Sequence, residues 1–234
     1  MTPPTDVPVR ILRRLQTSGP RGTLSHVGHL VSERFHDVRL GIRTIGKVVP
    51  VVSARRPDLY KPYAPTAYRS FRAAMSEITV RAGADVFVDY GAGKGRVVVL
   101  AAMYPFRRVV GVEICPELSG IARANVRRAA RHLRCQDVEI ITGDAAEFGC
   151  PQEATVLHFF DPFAGSVLER VIDHVRASLD VLPRPLTILY ADPNEFAPLA
   201  ARCSWLRKRG EVRYPFTSGS EPIRESYYIY EAVT

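Results

Sequence analysis

Residues 86–96 read VFVDYGAGKGR, a short apolar run that leads into a glycine-rich turn. The run Val86–Tyr90 is typical of a buried strand, and Gly95–Tyr104, directly after the turn, is typical of a helix. Glycine is needed at such a turn because a side chain would keep a ligand away from the backbone amides. The helix adds unpaired N–H groups at its N-terminus. The stretch therefore predicts a ligand-binding loop.

The spacing of the glycines excludes two common ligands of such loops. A dinucleotide fingerprint needs GxGxxG, whereas this sequence has GxGxG with Arg96 at the third required position. A phosphate-binding Walker loop needs Ser or Thr after its lysine, and here Gly95 follows Lys94. A nicotinamide cofactor and a nucleoside triphosphate are thus disfavoured, and we expect Lys94 and Arg96 to be a solvated or substrate-facing pair.

Short apolar runs alternate with helical stretches after the loop, which is the pattern of a parallel sheet covered on both faces. The further predicted strands are Arg108–Glu113, Val138–Thr142, Thr155–Phe160 and Leu186–Ala191, and the predicted helices are Pro116–His132 and Val167–Leu182. Near the C-terminus, Cys203–Tyr214 and Ser226–Val233 alternate apolar and polar residues and predict an antiparallel hairpin. We therefore predict an α/β, Rossmann-like fold with a mostly parallel seven-stranded sheet that ends in this hairpin.

The chain has 234 residues with 46% hydrophobic and 24% charged residues, which allows one sizeable core. Its net charge of +8 is unevenly distributed, because residues 1–80 hold 13 Lys/Arg and 5 Asp/Glu whereas residues 81–234 hold 19 of each sign. Such a basic segment could meet nucleic acid, an acidic protein or an anionic membrane surface. It could equally be a solvated face without a partner.

The N-terminal part has a less regular pattern than the rest of the chain. We expect residues 1–60 to be a basic, partly flexible extension and residues 61–234 to be the ligand-binding domain. A helical stripe is formed by Leu24, Val27, Leu30 and Val31. The β-branched residues Val48, Val49, Val51 and Val52 are consistent with a short strand broken by Pro50. Residues Ala67–Ile78 predict a helix after a proline-rich loop.

Targeting and metal-binding patterns are not apparent in the sequence. No apolar run approaches the roughly 18 residues of a membrane span, and the first residues do not resemble a secretory signal. The four cysteines form no CxxC pair. Among the six histidines, only His26 and His29 lie within one helical turn, without a further ligand at a suitable spacing. We therefore expect a cytoplasmic protein without a metal site.

Acidic residues end the second and third predicted strands. Glu113 lies where a carboxylate can accept hydrogen bonds from both hydroxyls of a ribose at the carboxyl edge of the sheet. In the segment Thr142-Gly143-Asp144-Ala145, Asp144 could accept a hydrogen bond from an adenine amino group. The alternative for Asp144 is a helix N-cap for the turn that follows.

The loop, Glu113 and Gly143-Asp144 resemble, in order and spacing, the cofactor motifs of class I S-adenosylmethionine-dependent methyltransferases over roughly residues 85–200. The resemblance implies that S-adenosyl-L-methionine is the cofactor, with Glu113 holding the ribose and Asp144 with Ala145 recognising adenine. Asp89 would organise the loop and approach the methionine amino group. The loop backbone at Gly91, Ala92, Gly93 and Gly95 would border the methionine moiety.

The fourth predicted strand ends in His158-Phe159-Phe160-Asp161-Pro162-Phe163, at the position of the Asp/Asn-Pro-Pro-aromatic motif of amine-methylating members of this family. The second proline is missing. Asp161 could accept hydrogens from an acceptor amine while Phe163 packs against it. A plain proline-containing turn is an equal alternative.

Two further groups of residues are candidates for the site. Tyr63-Ala64-Pro65-Thr66 resembles the segment that precedes the first strand in lysine methyltransferases without a SET domain, which implies that Tyr63 and Thr66 close over the methionine end of the cofactor. Tyr190 and Asp192 end the fifth predicted strand and are candidates for the pocket wall, although Tyr190 could be core.

The resemblance implies a methyltransferase but leaves the methyl acceptor open. A protein lysine or a small-molecule amine is favoured over a hydroxyl and over a nucleic-acid base, for which the sequence has no recognised binding module. A protein that has lost catalysis and serves as a cofactor-binding interaction module is a further alternative.

Overall fold

The computed structural model describes residues 19, 24, 27–218 and 221–233. Its strands are β1 (Val86–Tyr90), β2 (Arg108–Glu113), β3 (Val138–Thr142), β4 (Val156–Phe160), β5 (Thr187–Ala191), β6 (Leu206–Ser218) and β7 (Glu221–Ala232). They form a seven-stranded sheet in the order β3-β2-β1-β4-β5-β7-β6. The first five strands pair in parallel, and β7 joins β5 and β6 in antiparallel fashion. The predicted fold is confirmed.

Helices cover both faces of this sheet. They are α1 (residues 27–40), α2 (Val51–Arg55), α3 (Tyr68–Met75), α4 (Arg96–Ala102), α5 (Pro116–Ala129, followed by the 3-10 turn Ala130–His132), α6 (Gly165–Val181) and α7 (Phe196–Ala200). On one face, α3 and α4 bury Phe71 and Val98, and on the other α6 and α7 bury Val171 and Phe196. Every residue of β1 is buried, because a parallel strand between two helical layers has no solvent face. No described helix is long and apolar enough to cross a membrane.

The predicted strand Val48–Val52 is wrong. Val48 forms only an isolated bridge with Tyr63, and α2 begins at Val51. Pro50, in extended conformation at the N-cap of α2, cannot donate to a ladder, and proline is well suited to the start of a helix. Pro50 therefore prevents a continuous strand here, although the β-branched residues around it favour one. Helix α7 was not predicted.

Helix α1 is attached to the sheet layer through a buried group of charges. Arg96 is 2% exposed. Its guanidinium donates to the carboxylates of Glu33 and Asp37 on α1 and, at 2.8 Å, to the carbonyl oxygen of Thr66. The Tyr68 hydroxyl donates to Asp37 at 2.6 Å. The expectation that Arg96 is solvated is wrong, because it is buried and α1 neutralises its charge, whereas the substrate-facing alternative stays a prediction. The domain boundary at residue 60 stays a prediction.

Candidate active site

The glycine turn after β1 has a backbone that glycine adopts more easily than other residues. Gly91 and Gly93 have φ angles of +78° and +54°, in the left-handed region. A Cβ atom at Gly91 would lie 2.4 Å from the Pro162 side chain, and one at Gly93 would lie 2.3 Å from the Tyr63 ring. The glycine loop is therefore in close contact with the segment after β4, which contains Pro162, and with the segment around Tyr63. Both segments contain predicted site residues.

Glu113 connects the end of β2 to this loop. Its carboxylate accepts the backbone N–H of Gly93 at 2.7 Å and that of Cys115 at 2.9 Å. Burial raises the pKa of Glu113. A cleft lies beside the glycine loop, and Glu113 is one of its lining residues. Each carboxylate oxygen carries a second lone pair, so Glu113 can still accept hydrogen bonds from a ligand in this cleft.

Asp89 is part of a buried chain of polar groups. His158 Nδ1 lies 2.7 Å from Asp89 Oδ1, and His158 Nε2 lies 3.0 Å from the Tyr227 hydroxyl. Asp89 and His158 both line the cleft. No role was predicted for His158, which the sequence shows only as part of the motif at the end of β4. Its position on β4 next to β1 could have suggested a contact, since adjacent parallel strands bring Asp89 and His158 into register.

Asp144 has hydrogen-bond partners for both of its carboxylate oxygens. The N–H of Ala146 donates to Oδ1 at 2.9 Å, and the Tyr60 hydroxyl donates to Oδ2 at 2.7 Å. The first contact is a local capping interaction of the turn, as the alternative interpretation predicted. Gly143 and Ala145 line the cleft on either side of Asp144, and its contact with adenine stays a prediction.

A segment that we name the strap, residues 59–66, lies along the cleft. The N–H of Lys61 donates to the Pro162 carbonyl at 3.0 Å, and the N–H of Ala164 donates to the Leu59 carbonyl at 2.8 Å. The strap is thereby bonded to the segment after β4, and its Tyr63 and Thr66 line the cleft as expected.

Tyr63 is held in place by a hydrogen bond and by a contact between its ring and a cation. Its hydroxyl donates to the Thr44 carbonyl at 2.7 Å, and the Lys94 ammonium lies 5.0 Å from the centre of its ring. Burial raises the pKa of Tyr63 well above its usual value. These contacts agree with a role in closing the cleft, while a catalytic role of Tyr63 stays a prediction.

Asp161 differs from the other carboxylates of the site. It has a φ of +38°, and among the described residues its buried Oδ1 has no hydrogen-bond partner. Burial raises the pKa of Asp161 to about 6, Lys61 opposes this shift, and the charges of Asp192 and Glu195 add to it. Asp161 is not itself a lining residue of the cleft but lies between two that are, Phe160 and Pro162. A strained, incompletely partnered carboxyl group at such a place is typical of a functional position.

The remaining predicted residues fall into two environments. Phe163 is buried and lines the cleft. Tyr190 is fully buried and stacks between Phe159 and Phe196, with ring centres 5.2 and 4.4 Å away, so the structure places it in the core. Asp192 has a φ of +53° and accepts a hydrogen bond from Asn194.

The strand order, the glycine turn after β1 and the acidic residue at the end of β2 together define the class I methyltransferase fold. No protein-family model matches the sequence, and no curated protein matches it. Solved structures match the fold. A candidate RNA methyltransferase from Pyrococcus horikoshii is 16% identical with a TM-score of 0.55, covering 84% of this chain and 97% of its own.

Two further solved structures are similar to this chain at the level of the fold. Precorrin-8w decarboxylase from Methanobacterium thermoautotrophicum is 18% identical with a TM-score of 0.53, and the match covers 74% of this chain and 93% of the other. TYW2 of P. horikoshii, solved in complex with MeSAdo, is 14% identical with a TM-score of 0.52, covering 74% of this chain and 65% of its own.

Proposed function

We propose that this chain binds S-adenosylmethionine in the cleft and transfers its methyl group to an amine. The observation that carries the choice of acceptor is the Asp161 carboxyl group, whose buried Oδ1 has no partner among the described residues. An amine can donate its N–H hydrogens to such a group.

The residues of the cleft suit the proposed cofactor. The turn at Gly91 and Gly93 leaves no room for a Cβ atom, so a ligand can approach the backbone closely. Glu113 has lone pairs for the ribose hydroxyls, and Asp89 supplies a negative charge for the methionine amino group. P. horikoshii TYW2, solved in complex with MeSAdo, has the same fold, which supports the assignment.

When bound, the cofactor supplies an electrophilic methyl group, and the protein's task is alignment and proton management. Asp161 would accept hydrogen bonds from the amine and orient its lone pair. Phe163 would pack against the acceptor, and the strap, through Tyr63, would keep water from the methionine end. Asp192 and Glu195 raise the pKa of Asp161 and Lys61 lowers it, so charges of both signs surround this carboxyl group.

The cofactor assignment is tested by calorimetric titration with S-adenosylhomocysteine, with NAD as the control ligand. We expect only the former to bind, and we expect Glu113→Ala to weaken it at least about tenfold because two hydroxyl contacts are lost. Unchanged affinity in Glu113→Ala would remove the ribose role from this residue. Binding of neither ligand would contradict the proposed function.

The acceptor assignment is tested with radiolabelled S-adenosylmethionine against lysine-rich proteins, polyamines and RNA. Asp161→Ala should lower kcat at least about a hundredfold on an amine acceptor while the affinity for S-adenosylhomocysteine changes less than about twofold. Asp173→Ala, an exposed carboxylate on α6, is the matched control and should leave both unchanged. Labelling of RNA alone would identify a nucleic-acid methyltransferase, and cofactor binding without any labelled acceptor would favour an interaction module.

A further inference from the structure

Helix α1 buries acidic residues and exposes apolar ones, which is the reverse of an ordinary surface helix. Glu33 and Asp37 are buried against Arg96, whereas Val31, Phe35 and Val38 are 63%, 62% and 70% exposed. Surface helices normally bury their apolar face. Among the ring contacts of the described residues, Phe35 has only that with the neighbouring His36, whose ring centre is 6.0 Å away. Exposed apolar residues grouped on one side of a helix mark an interaction site.

This exposure is concentrated in one part of the molecule. Eleven large hydrophobic side chains are exposed in the described residues, and nine of them lie within residues 24–51. They are Leu24, Val27, Leu30, Val31, Phe35, Val38, Ile45, Val49 and Val51. We name Val27, Val31, Phe35 and Val38 the outer stripe, since their spacing of four, four and three residues places them on one side of the helix.

Arginines without carboxylate partners border the outer stripe. At about 100° per residue, Arg34 lies at one edge of the stripe and Arg39 at the other. Arg43 and Arg128 line an adjoining groove of about 1000 Å³. None of these four arginines makes an ion pair with a described residue, so their charges are available to an anionic surface.

We propose that the outer face of α1 docks on an anionic membrane surface. An apolar stripe bordered by arginines fits the boundary between lipid tails and headgroups, because the stripe enters the apolar layer while the guanidiniums stay at the phosphates. The sequence of residues 9–16, VRILRRLQ, lies outside the described residues and has the same basic and apolar composition.

Two other occupants fit the observations less well. A nucleic-acid backbone would pair with the arginines but would leave Val31 and Phe35 exposed to water. A second copy packed on the stripe would bring Arg34 and Arg39 against the same residues of its partner, and like charges repel. Only a surface that is both anionic and apolar satisfies the stripe and the arginines together.

The test is flotation of the full chain with vesicles of phosphatidylcholine alone and of phosphatidylcholine mixed with phosphatidylglycerol. We expect binding to the anionic vesicles only, and V31S/F35S should weaken it at least about tenfold because two inserted side chains are lost. V181S/L182S removes two exposed apolar residues at the C-terminal end of α6 and is the matched control, with an expected change below about twofold. R34Q/R39Q should lower binding severalfold and reduce its salt dependence.

Three results would overturn the proposal. One is no partition of the wild-type chain onto anionic vesicles, and another is equal partition of V31S/F35S with an unchanged melting temperature. The third is a sedimentation-velocity dimer, or a complex with double-stranded RNA, that V31S/F35S abolishes while vesicle binding persists. Because vesicle binding requires no methyl transfer, its outcome is independent of the proposed enzymatic activity.

Discussion

The two halves of the cleft differ in how completely their carboxylates are hydrogen-bonded. On the side of β1 and β2, Glu113 accepts two backbone N–H groups and Asp89 contacts His158. On the side of β4, the buried Oδ1 of Asp161 lacks a partner among the described residues, and the backbone of Asp161 is left-handed. We call the first the prepared side, because the protein itself supplies hydrogen-bond partners for its carboxylates. On the second side, which we call the unprepared side, a carboxylate oxygen still lacks a hydrogen-bond donor.

This difference separates binding from chemistry. A prepared side holds a ligand at low cost because its side chains are already ordered before the ligand arrives. Incomplete hydrogen bonding and strain are tolerated where the surrounding fold is rigid, and they are typical of positions where a reacting group is handled. Variants on the two sides should therefore differ in which property they change.

The largest expected effect on the affinity for the cofactor is on the prepared side, at Gly93. In Gly93→Ala the new Cβ would lie 2.3 Å from the Tyr63 ring at a φ of +54°, so the loop or the strap must move. We expect the affinity for S-adenosylhomocysteine, measured by calorimetry, to fall about a hundredfold, since strain and displaced contacts of this kind each cost 1 to 3 kcal/mol.

Gly120→Ala is the matched control for this change. Gly120 lies in α5 with nothing near its would-be Cβ atom, and alanine is the better helix former, so affinity should stay the same and stability should rise slightly. Wild-type affinity in Gly93→Ala would show that the strap yields easily and that the close approach at Gly93 is not required for binding.

A smaller and more selective effect is expected at His158. His158→Phe keeps an aromatic ring near Phe87 and Phe71 but removes the hydrogen bonds to Asp89 and Tyr227. If His158 positions Asp89 for the methionine amino group, the affinity for S-adenosylhomocysteine should fall about tenfold. The affinity for methylthioadenosine, which lacks the amino-acid part, should change less than about twofold.

The comparison of the two ligands separates positioning from a general structural role. An equal loss of affinity for both ligands would mean that His158 only supports the sheet. Tyr227→Phe removes the far end of the same chain and leaves the His158–Asp89 contact in place, so it should reproduce little of the selective loss.

The sequence predicted the parallel strands well, and the central strands β1 and β2 give the strongest signal because they are buried on both faces. Val86–Tyr90, Arg108–Glu113 and Val138–Thr142 were predicted with the bounds that the structure shows. The glycine turn was equally predictable, since left-handed backbone and close contacts leave few other residue types for Gly91 and Gly93. Both features are local, so a short window of sequence contains the information.

The features that were missed depend on contacts between distant residues. Arg96 was expected in solvent, yet its carboxylate partners Glu33 and Asp37 lie about sixty positions earlier, on a helix whose inner face is polar. His158 contacts Asp89, which lies 69 residues earlier, and Tyr227, which lies 69 residues further along the chain. No periodicity or spacing in the sequence reports such pairs.

The smallest expected effect is on the unprepared side, in the stability of Asp161→Asn. The folded pKa of Asp161 is about 6, above the ordinary value of 3.8, because burial disfavours the ionised form. Ionisation of Asp161 therefore destabilises the wild-type fold as pH rises through about 6, and this cost is absent below the ordinary pKa. Asparagine carries no charge and also tolerates the left-handed backbone. We expect a melting temperature a few degrees higher than wild type at pH 8, with the difference shrinking below pH 4. If the difference in melting temperature between Asp161→Asn and wild type did not depend on pH, Asp161 would be solvated. The carboxylates on the two sides of the cleft would then be equally well hydrogen-bonded.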